Sequence, residues 1–139
     1  MRNSVRLFTA ITLFLLPAVS LAGGDRFDGK WLTTVSCDPS RGALGFSYRF
    51  VGEVKDGNYR GLHGTEGEPG FLLIEGKIAG DGTATLYAEG RTGSKEYVPG
   101  RDTPIGTEFG YHIKAQFNDR SGTGTRVEGR PCTFEFDKQ

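Results

Sequence analysis

The chain has 139 residues, with 17 basic and 17 acidic side chains, and its length is that of a single domain. No run of Lys or Arg and no basic amphipathic segment occurs. The chain therefore lacks the basic patches typical of nucleic-acid-binding proteins and the basic amphipathic helices typical of membrane-surface proteins. The 22 glycines follow no three-residue period, which excludes a collagen-like chain and favours short strands joined by tight turns.

Residues 1–22 have the pattern of a cleaved signal peptide. Two arginines precede an apolar run from Leu7 to Val19, and Ser20 and Ala22 supply the small residues that signal peptidase accepts. The run is too short to span a bilayer comfortably, although a retained membrane anchor is the alternative. We therefore predict one mature domain, residues 23–139, without a membrane anchor. We expect it to be periplasmic or secreted, in the style of a Gram-negative exported protein.

After residue 23, apolar and polar residues alternate almost continuously, which is typical of strands with one buried face. Asp-Gly pairs in the stretches KDGN and GDGT indicate two tight hairpin turns, because this pair tolerates positive φ angles. The alternation predicts eight strands, at about 31–37, 46–55, 58–65, 71–78, 83–89, 109–117, 123–129 and 131–137.

These strands predict a closed sheet. An open sheet of eight strands would leave two unpaired edges and a wide exposed apolar face, and closure removes both. The sequence therefore predicts an all-β fold, an eight-stranded antiparallel up-and-down meander barrel. A two-sheet β-sandwich buries the same faces and is the alternative.

The chain has two cysteines, Cys37 in the first predicted strand and Cys132 in the last. These strands are neighbours in an up-and-down barrel, and both cysteines fall on the apolar faces. We predict a structural disulfide across the seam, which an exported compartment permits; two separate buried thiols are the alternative. No CxxC motif or adjacent His/Asn arrangement activates either cysteine for catalysis.

The stretch DGKWL resembles the Gly-x-Trp signature of the calycin superfamily, the lipocalins and avidins, through Gly29 and Trp31. The resemblance implies a barrel whose closed end is plugged by Trp31, with Arg126 or Arg130 packed across it. The biotin-binding set of avidins cannot be placed in this sequence. The chain is also similar to small exported proteobacterial β-domains that share the texture GTEGxPG, DGTATL and GTG, a resemblance that implies no activity.

The longest predicted connection is Arg91–Gly106, between the fifth and sixth strands. Connections of this length in compact domains are usually functional or disordered. Tyr97 and Arg101, with Asp102, are candidates for a lid over the barrel mouth or for a contact surface with another protein. A mobile loop without function is the alternative.

The predicted inner face is rich in aromatic side chains, including Trp31. An eight-stranded barrel is just wide enough to be filled by side chains or to hold one small ligand. If a ligand is held, Tyr48 and Tyr111 are the best candidates for its polar contact. The alternative is a filled core in which both tyrosines only direct their hydroxyls to the rim.

The sequence contains little that indicates reaction chemistry. His63 and His112 have no partner at metal-ligand spacing, so we predict no metal and no cofactor. No GxSxG nucleophile motif is present. The GTGTR stretch, 122–126, precedes no predicted helix and is therefore interpreted as strand glycine rather than a phosphate loop.

These observations predict an exported, non-enzymatic binding barrel for a small apolar or amphipathic ligand. A protein-interaction or inhibitor module that acts through residues 91–106 is the first alternative, and an enzyme on a barrel scaffold is the second. The expected partner is a small apolar ligand or an envelope or secreted protein, and not a nucleic acid.

Overall fold

The computed structural model describes residues 25–100 and 102–139, so the predicted signal peptide and Arg101 lie outside the described residues. Eight antiparallel strands form a meander that closes into a barrel, because β1 pairs with β2 on one side and β8 on the other. The predicted barrel is confirmed. The strands are β1 (Gly29–Cys37), β2 (Phe46–Lys55), β3 (Asn58–His63), β4 (Leu72–Lys77), β5 (Thr83–Arg91), β6 (Glu108–Phe117), β7 (Ser121–Arg126) and β8 (Cys132–Lys138).

Two short 3₁₀-helices, Asp25–Phe27 and Lys95–Tyr97, complete the secondary structure of these residues. Neither was predicted, because three-residue helices carry no periodic signal in the sequence. Within the described ranges, no helix is long and apolar enough to cross a membrane.

The seventh strand differs most from its prediction. β7 covers Ser121–Arg126 rather than 123–129. The backbone beyond Arg126 leaves the sheet and turns at Gly129, whose φ of 83° requires the left-handed region. Arg126 is therefore the last residue of β7, whereas the predicted strand 123–129 had placed it in the middle.

The β2–β3 hairpin has the predicted Asp-Gly turn. Asp56 and Gly57 adopt φ angles of 52° and 76°, as a two-residue turn between twisted strands requires. The carboxylate of Asp28 accepts hydrogen bonds from both of their backbone N–H groups, at 3.0 and 3.1 Å. The segment before β1 is thereby fixed to the hairpin at the same end of the barrel.

Trp31 lies at this end, which is closed. Its side chain is fully buried, its Nε1–H donates to the carbonyl of Phe27 at 2.8 Å, and the ring of Phe117 packs edge-on against it at 5.4 Å. The expectation that an arginine packs across Trp31 is wrong for both candidates. β7 runs away from the closed end, so Arg126 and Arg130 lie at the opposite end of the barrel.

Glycines on the inner face make room for large rings. Tyr59 points into the barrel across Gly52 and Gly61, and its hydroxyl is 2.5 Å from the Thr33 hydroxyl. Large side chains fill the interior toward the closed end. Those with 2% exposure or less are Phe27, Trp31, Val54, Tyr59, Ile78, Leu86, Ile113, Phe117 and Phe136.

The seam of the barrel is covalently closed. Cys37 and Cys132 are directly opposite each other in the β1–β8 register, and their sulfur atoms form a disulfide. The predicted pairing is confirmed. A disulfide is compatible with an oxidising, exported location. It lies at the end of the barrel opposite Trp31, because β1 begins at the closed end and finishes at Cys37.

Candidate functional site

We call the end of the barrel where β1 finishes the mouth. Its inward-facing side chains are less completely buried than those of the closed end, and Phe46, Tyr48 and Phe109 are only partly covered where they pack on the core. The side chains that line the mouth are those of Phe46, Tyr48, His63, Phe109, Tyr111 and Arg126.

Tyr48 and Tyr111 face the interior from β2 and β6. The Tyr48 ring stacks on His63 at 4.2 Å, and the Tyr111 ring stacks on Phe109 at 6.1 Å. Burial raises the pKa of Tyr48, and the nearby Tyr111 raises it further. Burial also raises the pKa of Tyr111, to about 12.

The two hydroxyls differ from that of Tyr59 in their hydrogen bonding. Tyr59 is paired with Thr33, whereas within the described residues the hydroxyls of Tyr48 and Tyr111 have no hydrogen-bond partner. Each phenol can both donate and accept a hydrogen bond. The mouth therefore presents two unused polar groups among aromatic rings.

Arg126 is a mouth residue that the sequence analysis did not select as a binding residue. On β7, the inward positions are Gly122, Gly124 and Arg126, so the glycine alternation itself is the signal that places this arginine inside. Its guanidinium lies 3.9 Å from the centroid of the Tyr111 ring, and its Nε–H donates to the carbonyl of Glu128. Desolvation lowers the pKa of Arg126.

The Glu128 side chain is directed away from the mouth. Its two carboxylate oxygens contact the backbone N–H and the ring Nδ1 of His112, each at 2.7 Å. The backbone hydrogen bond from His112 is the largest cause that lowers the pKa of Glu128. His112 gains this carboxylate partner in space rather than at metal-ligand spacing in the sequence, because the β6–β7 hairpin joins residues 16 positions apart. No group of three metal-ligating side chains occurs among the described residues.

The connection between β5 and β6 reaches across the mouth, and we call its described residues, 92–100 and 102–107, the strap. Its base is tied by the Thr92 N–H, which donates to the carbonyl of Thr107 at 2.9 Å. Farther along, the carbonyl of Glu96 accepts the N–H of Leu44 at 2.7 Å. β5 is four strands from β1 in either direction around the barrel, so these contacts carry the strap across the full width of the mouth.

Arg130 fastens the strap to the opposite rim. Its guanidinium donates to the carbonyl of Tyr97 at 2.7 Å, to that of Leu44 at 3.0 Å and to that of Asp38. The side chain is 8% exposed, and its buried Nε has no partner in the described part of the chain. Burial lowers the pKa of Arg130, and the nearby Arg126 lowers it further.

The structure brings three of the predicted binding residues to the same end. Tyr48 and Tyr111 lie in the mouth, and Tyr97 lies in the strap, where its ring packs edge-on against Phe46 at 5.9 Å. Trp31 is at the closed end and does not reach this site. Arg101 belongs to the strap sequence but lies outside the described residues.

Two shallow grooves lie outside the barrel, on β4 to β7. They are lined by outward residues such as Lys77, Lys114 and Thr123, and they share no residue with the mouth. The mouth, the strap and the disulfide are thus grouped at one end, apart from these grooves.

No known protein-family model matches the chain, and comparison with curated proteins and with solved structures finds no match.

Proposed function

We propose that this protein is an exported, non-enzymatic binding barrel that holds one small amphipathic ligand in the mouth, beneath the strap. The apolar part of the ligand lies against the rings of Phe46 and Phe109, and its polar group lies at the hydroxyls of Tyr48 and Tyr111. The observation that carries this proposal is a mouth of partly covered rings, at Phe46, Tyr48 and Phe109, in which the Tyr48 and Tyr111 hydroxyls bond to no other described residue and are not among the fully buried polar atoms.

The contrast between the two ends of the barrel supports this assignment. The Tyr59 hydroxyl at the closed end is paired with Thr33, as most buried polar groups are. The mouth combines partly covered rings with free hydroxyls, which is the usual composition of a small-molecule site, mainly apolar with a few polar groups. The strap contacts the rim of this site through Tyr97, whose ring packs against Phe46.

We further propose that the protein acts in the periplasm or outside the cell after removal of residues 1–22. The signal-peptide pattern supports this location, and the Cys37–Cys132 disulfide is compatible with it. Intact mass measurement of protein from the periplasmic fraction tests the proposal. A mass that begins at Gly23 with both cysteines oxidised is expected, whereas a cytosolic chain that retains residues 1–22 contradicts export.

Titration with octanol, an uncharged amphiphile, tests the binding function. Backbone amide NMR signals are expected to shift at the mouth and in the strap, and not at Trp31 or in the outer grooves. Tyr48→Phe and Tyr111→Phe keep the rings and remove the hydroxyls. Each is expected to weaken binding by about two- to tenfold, the usual contribution of one hydrogen bond.

The control for these variants is Tyr87→Phe. Tyr87 lies on the outer face of β5 and is exposed, so its loss is expected to leave octanol binding unchanged. Shifts confined to the outer grooves contradict the proposed site. No binding of octanol by the oxidised protein contradicts the proposed function.

A second candidate function is a protein-interaction module, which the distribution of exposed apolar side chains favours. Of the six large apolar side chains that are exposed in the described residues, four lie on loops at the mouth: Leu44, Tyr97, Ile105 and Val127. The occupant in this case is an exported protein with an apolar contact patch. In native mass spectrometry, Leu44→Ser with Val127→Ser is expected to remove a co-purified partner and to leave octanol binding intact. A monomeric mass for the unsubstituted protein contradicts this candidate.

A further inference from the structure

The mouth contains an unused positive charge. Arg126 has five N–H donors, and its Nε–H is committed to the carbonyl of Glu128. Its two terminal nitrogens have no acceptor within the described residues, and no carboxylate in those residues lies within salt-bridge distance of it. A half-buried guanidinium is costly to leave without an anion, because burial removes the water that would otherwise solvate it.

Two acidic side chains on the strands and loop around Arg126, Glu128 and Glu108, form no ion pair with it, although the charge of Glu128 acts to raise the pKa of Arg126 against the larger effect of burial. Glu128 is held by His112 on the outside of the barrel. Glu108, at the start of β6, is bonded to Arg91 at 2.9 Å. Neither carboxylate bonds to the guanidinium directly, so its terminal nitrogens have no charged hydrogen-bond partner among the described residues.

A second positive charge lies close by. Arg130 is buried and donates to backbone carbonyls, which accept hydrogen bonds but carry no formal charge. Burial is the largest cause that lowers the pKa of Arg130, and the nearby Arg126 lowers it further because two like charges repel. An anion placed between the mouth rings and Arg126 would relieve this repulsion as well as satisfy the free donors.

We infer that Arg126 binds the head group of the ligand and that the ligand is an amphiphile with a single carboxylate. The inference rests on the proposed function, which it deepens by naming the ligand class. The two terminal nitrogens of a guanidinium match the two oxygens of a carboxylate. The Tyr111 ring, 3.9 Å from Cζ, covers one face of the guanidinium, and the terminal nitrogens have no acceptor within the described residues. The free hydroxyls of Tyr48 and Tyr111 supply further donors.

Comparison of octanoate with octanol, which share one chain length, tests this inference by calorimetry on the oxidised protein. Octanoate is expected to bind at least about tenfold more tightly than octanol, the usual contribution of hydrogen bonds to a charged group. Octylammonium is expected to bind more weakly than octanol, because its charge is repelled by Arg126. Equal affinity for octanoate and octanol in the unsubstituted protein overturns the inference.

Arg126→Gln removes the charge and is expected to abolish the preference for octanoate over octanol. The matched control is Arg49→Gln, which removes one positive charge from the exposed face of β2 and is expected to keep the preference. A preference that survives Arg126→Gln overturns the carboxylate inference and leaves the proposed function intact. Failure of octanol and octanoate alike to bind the unsubstituted protein overturns both.

A measurement on the unsubstituted protein keeps the test independent of how any variant folds. Octanoate labelled at its carboxyl carbon reports its own protonation through its NMR shift. A carboxylate held by a guanidinium is expected to have a pKa below that of free octanoate, because the positive charge favours its ionised form. A pKa of bound octanoate equal to or above that of the free acid overturns the inference.

Discussion

The packing of Tyr59 depends on the absence of side chains at neighbouring positions of the inner face. Its ring occupies space that two neighbouring strands leave empty by placing Gly52 and Gly61 there. A side chain at either glycine would compete for the volume of the ring, in an interior that is packed as closely as an organic crystal. This pairing of small and large residues accounts structurally for part of the high glycine content.

We predict that Gly52→Ala destabilises the fold by about 1–3 kcal/mol through overpacking. The added Cβ would lie 2.5 Å from Oη and 2.6 Å from Cζ of Tyr59. Urea unfolding measures the loss. Val51→Ala, on the exposed face of the same strand, is the control and is expected to change stability by no more than about 0.5 kcal/mol. Equal stability of the two variants would show that Tyr59 does not fill this space.

The ionisation of Tyr59 gives a pH prediction. Burial raises its pKa from 10.0 to about 12, with the Thr33 hydrogen bond acting in the opposite direction. Because the folded-state pKa is raised, the associated stability is fully present below pH 10.0 and is lost as the pH rises to about 12. Each such tyrosine contributes a slope of about 1.4 kcal/mol per pH unit in this window.

Urea unfolding across this alkaline window checks the prediction. Tyr59→Phe is expected to reduce the slope of unfolding free energy against pH by the contribution of one tyrosine. Tyr87→Phe removes an exposed phenol and is expected to leave the slope unchanged. An equal slope in the unsubstituted protein and Tyr59→Phe would contradict the burial argument.

At the scale of single residues, the alternation of apolar and polar residues predicted correctly which side chains face the interior. It placed Tyr48, Tyr111 and both cysteines on the inner face, as the structure has them. Arg126 was named only as a candidate to pack across Trp31 and not as a binding residue, because the alternation of glycines in β7 was not used to assign the inner face. The position of an arginine in a glycine-rich strand is set by strand register, and the predicted register of β7 extended too far.

At the scale of elements, the strap shows the limit of prediction from sequence. Its length and its aromatic and charged residues indicated a lid or a contact surface for another protein, and this role stays a prediction. Its fastening was not predictable, because Arg130 and the N–H of Leu44 both bind backbone carbonyls, and backbone acceptors leave no mark in a sequence. The predicted start of the connection also differs slightly, since Arg91 still belongs to β5.

We predict that Arg130→Gln loosens the strap. The variant loses the guanidinium, which donates to the carbonyls of both Tyr97 and Leu44. The single amide group of Gln cannot replace all of the guanidinium N–H donors. Hydrogen exchange is expected to become faster at the amide of Leu44, which donates to Glu96, with little change at Trp31. Lys95→Gln, an exposed charge removed from the strap itself, is the control. Unchanged exchange at Leu44 would show that Arg130 does not fasten the strap.

For the molecule as a whole, the closed barrel followed from the number of strands and the cost of bare edges. The sequence also placed the disulfide correctly, because a meander makes its first and last strands neighbours. It did not show which end is closed and which is the mouth. That polarity depends on where the segment around Phe27 packs and where the strap lies, and both are tertiary contacts between distant residues.

We predict that removing the disulfide with Cys37→Ala and Cys132→Ala lowers the free energy of unfolding by about 2–5 kcal/mol. The bond joins residues 95 positions apart, so its loss frees nearly the whole described chain in the unfolded state. Urea unfolding of the double variant measures the change. A loss below about 1 kcal/mol would contradict a structural role for the bond.

The contacts of the strap have a mechanical consequence. Its far side rests on the loops on either side of the Cys37–Cys132 bond, through Leu44 and Arg130. This is the one part of the rim that cannot separate without breaking a covalent bond. Under the proposed function, uncovering the mouth requires only the loss of the contacts that the strap makes with Leu44 and Arg130. All eight ladders of backbone hydrogen bonds in the barrel can stay in place.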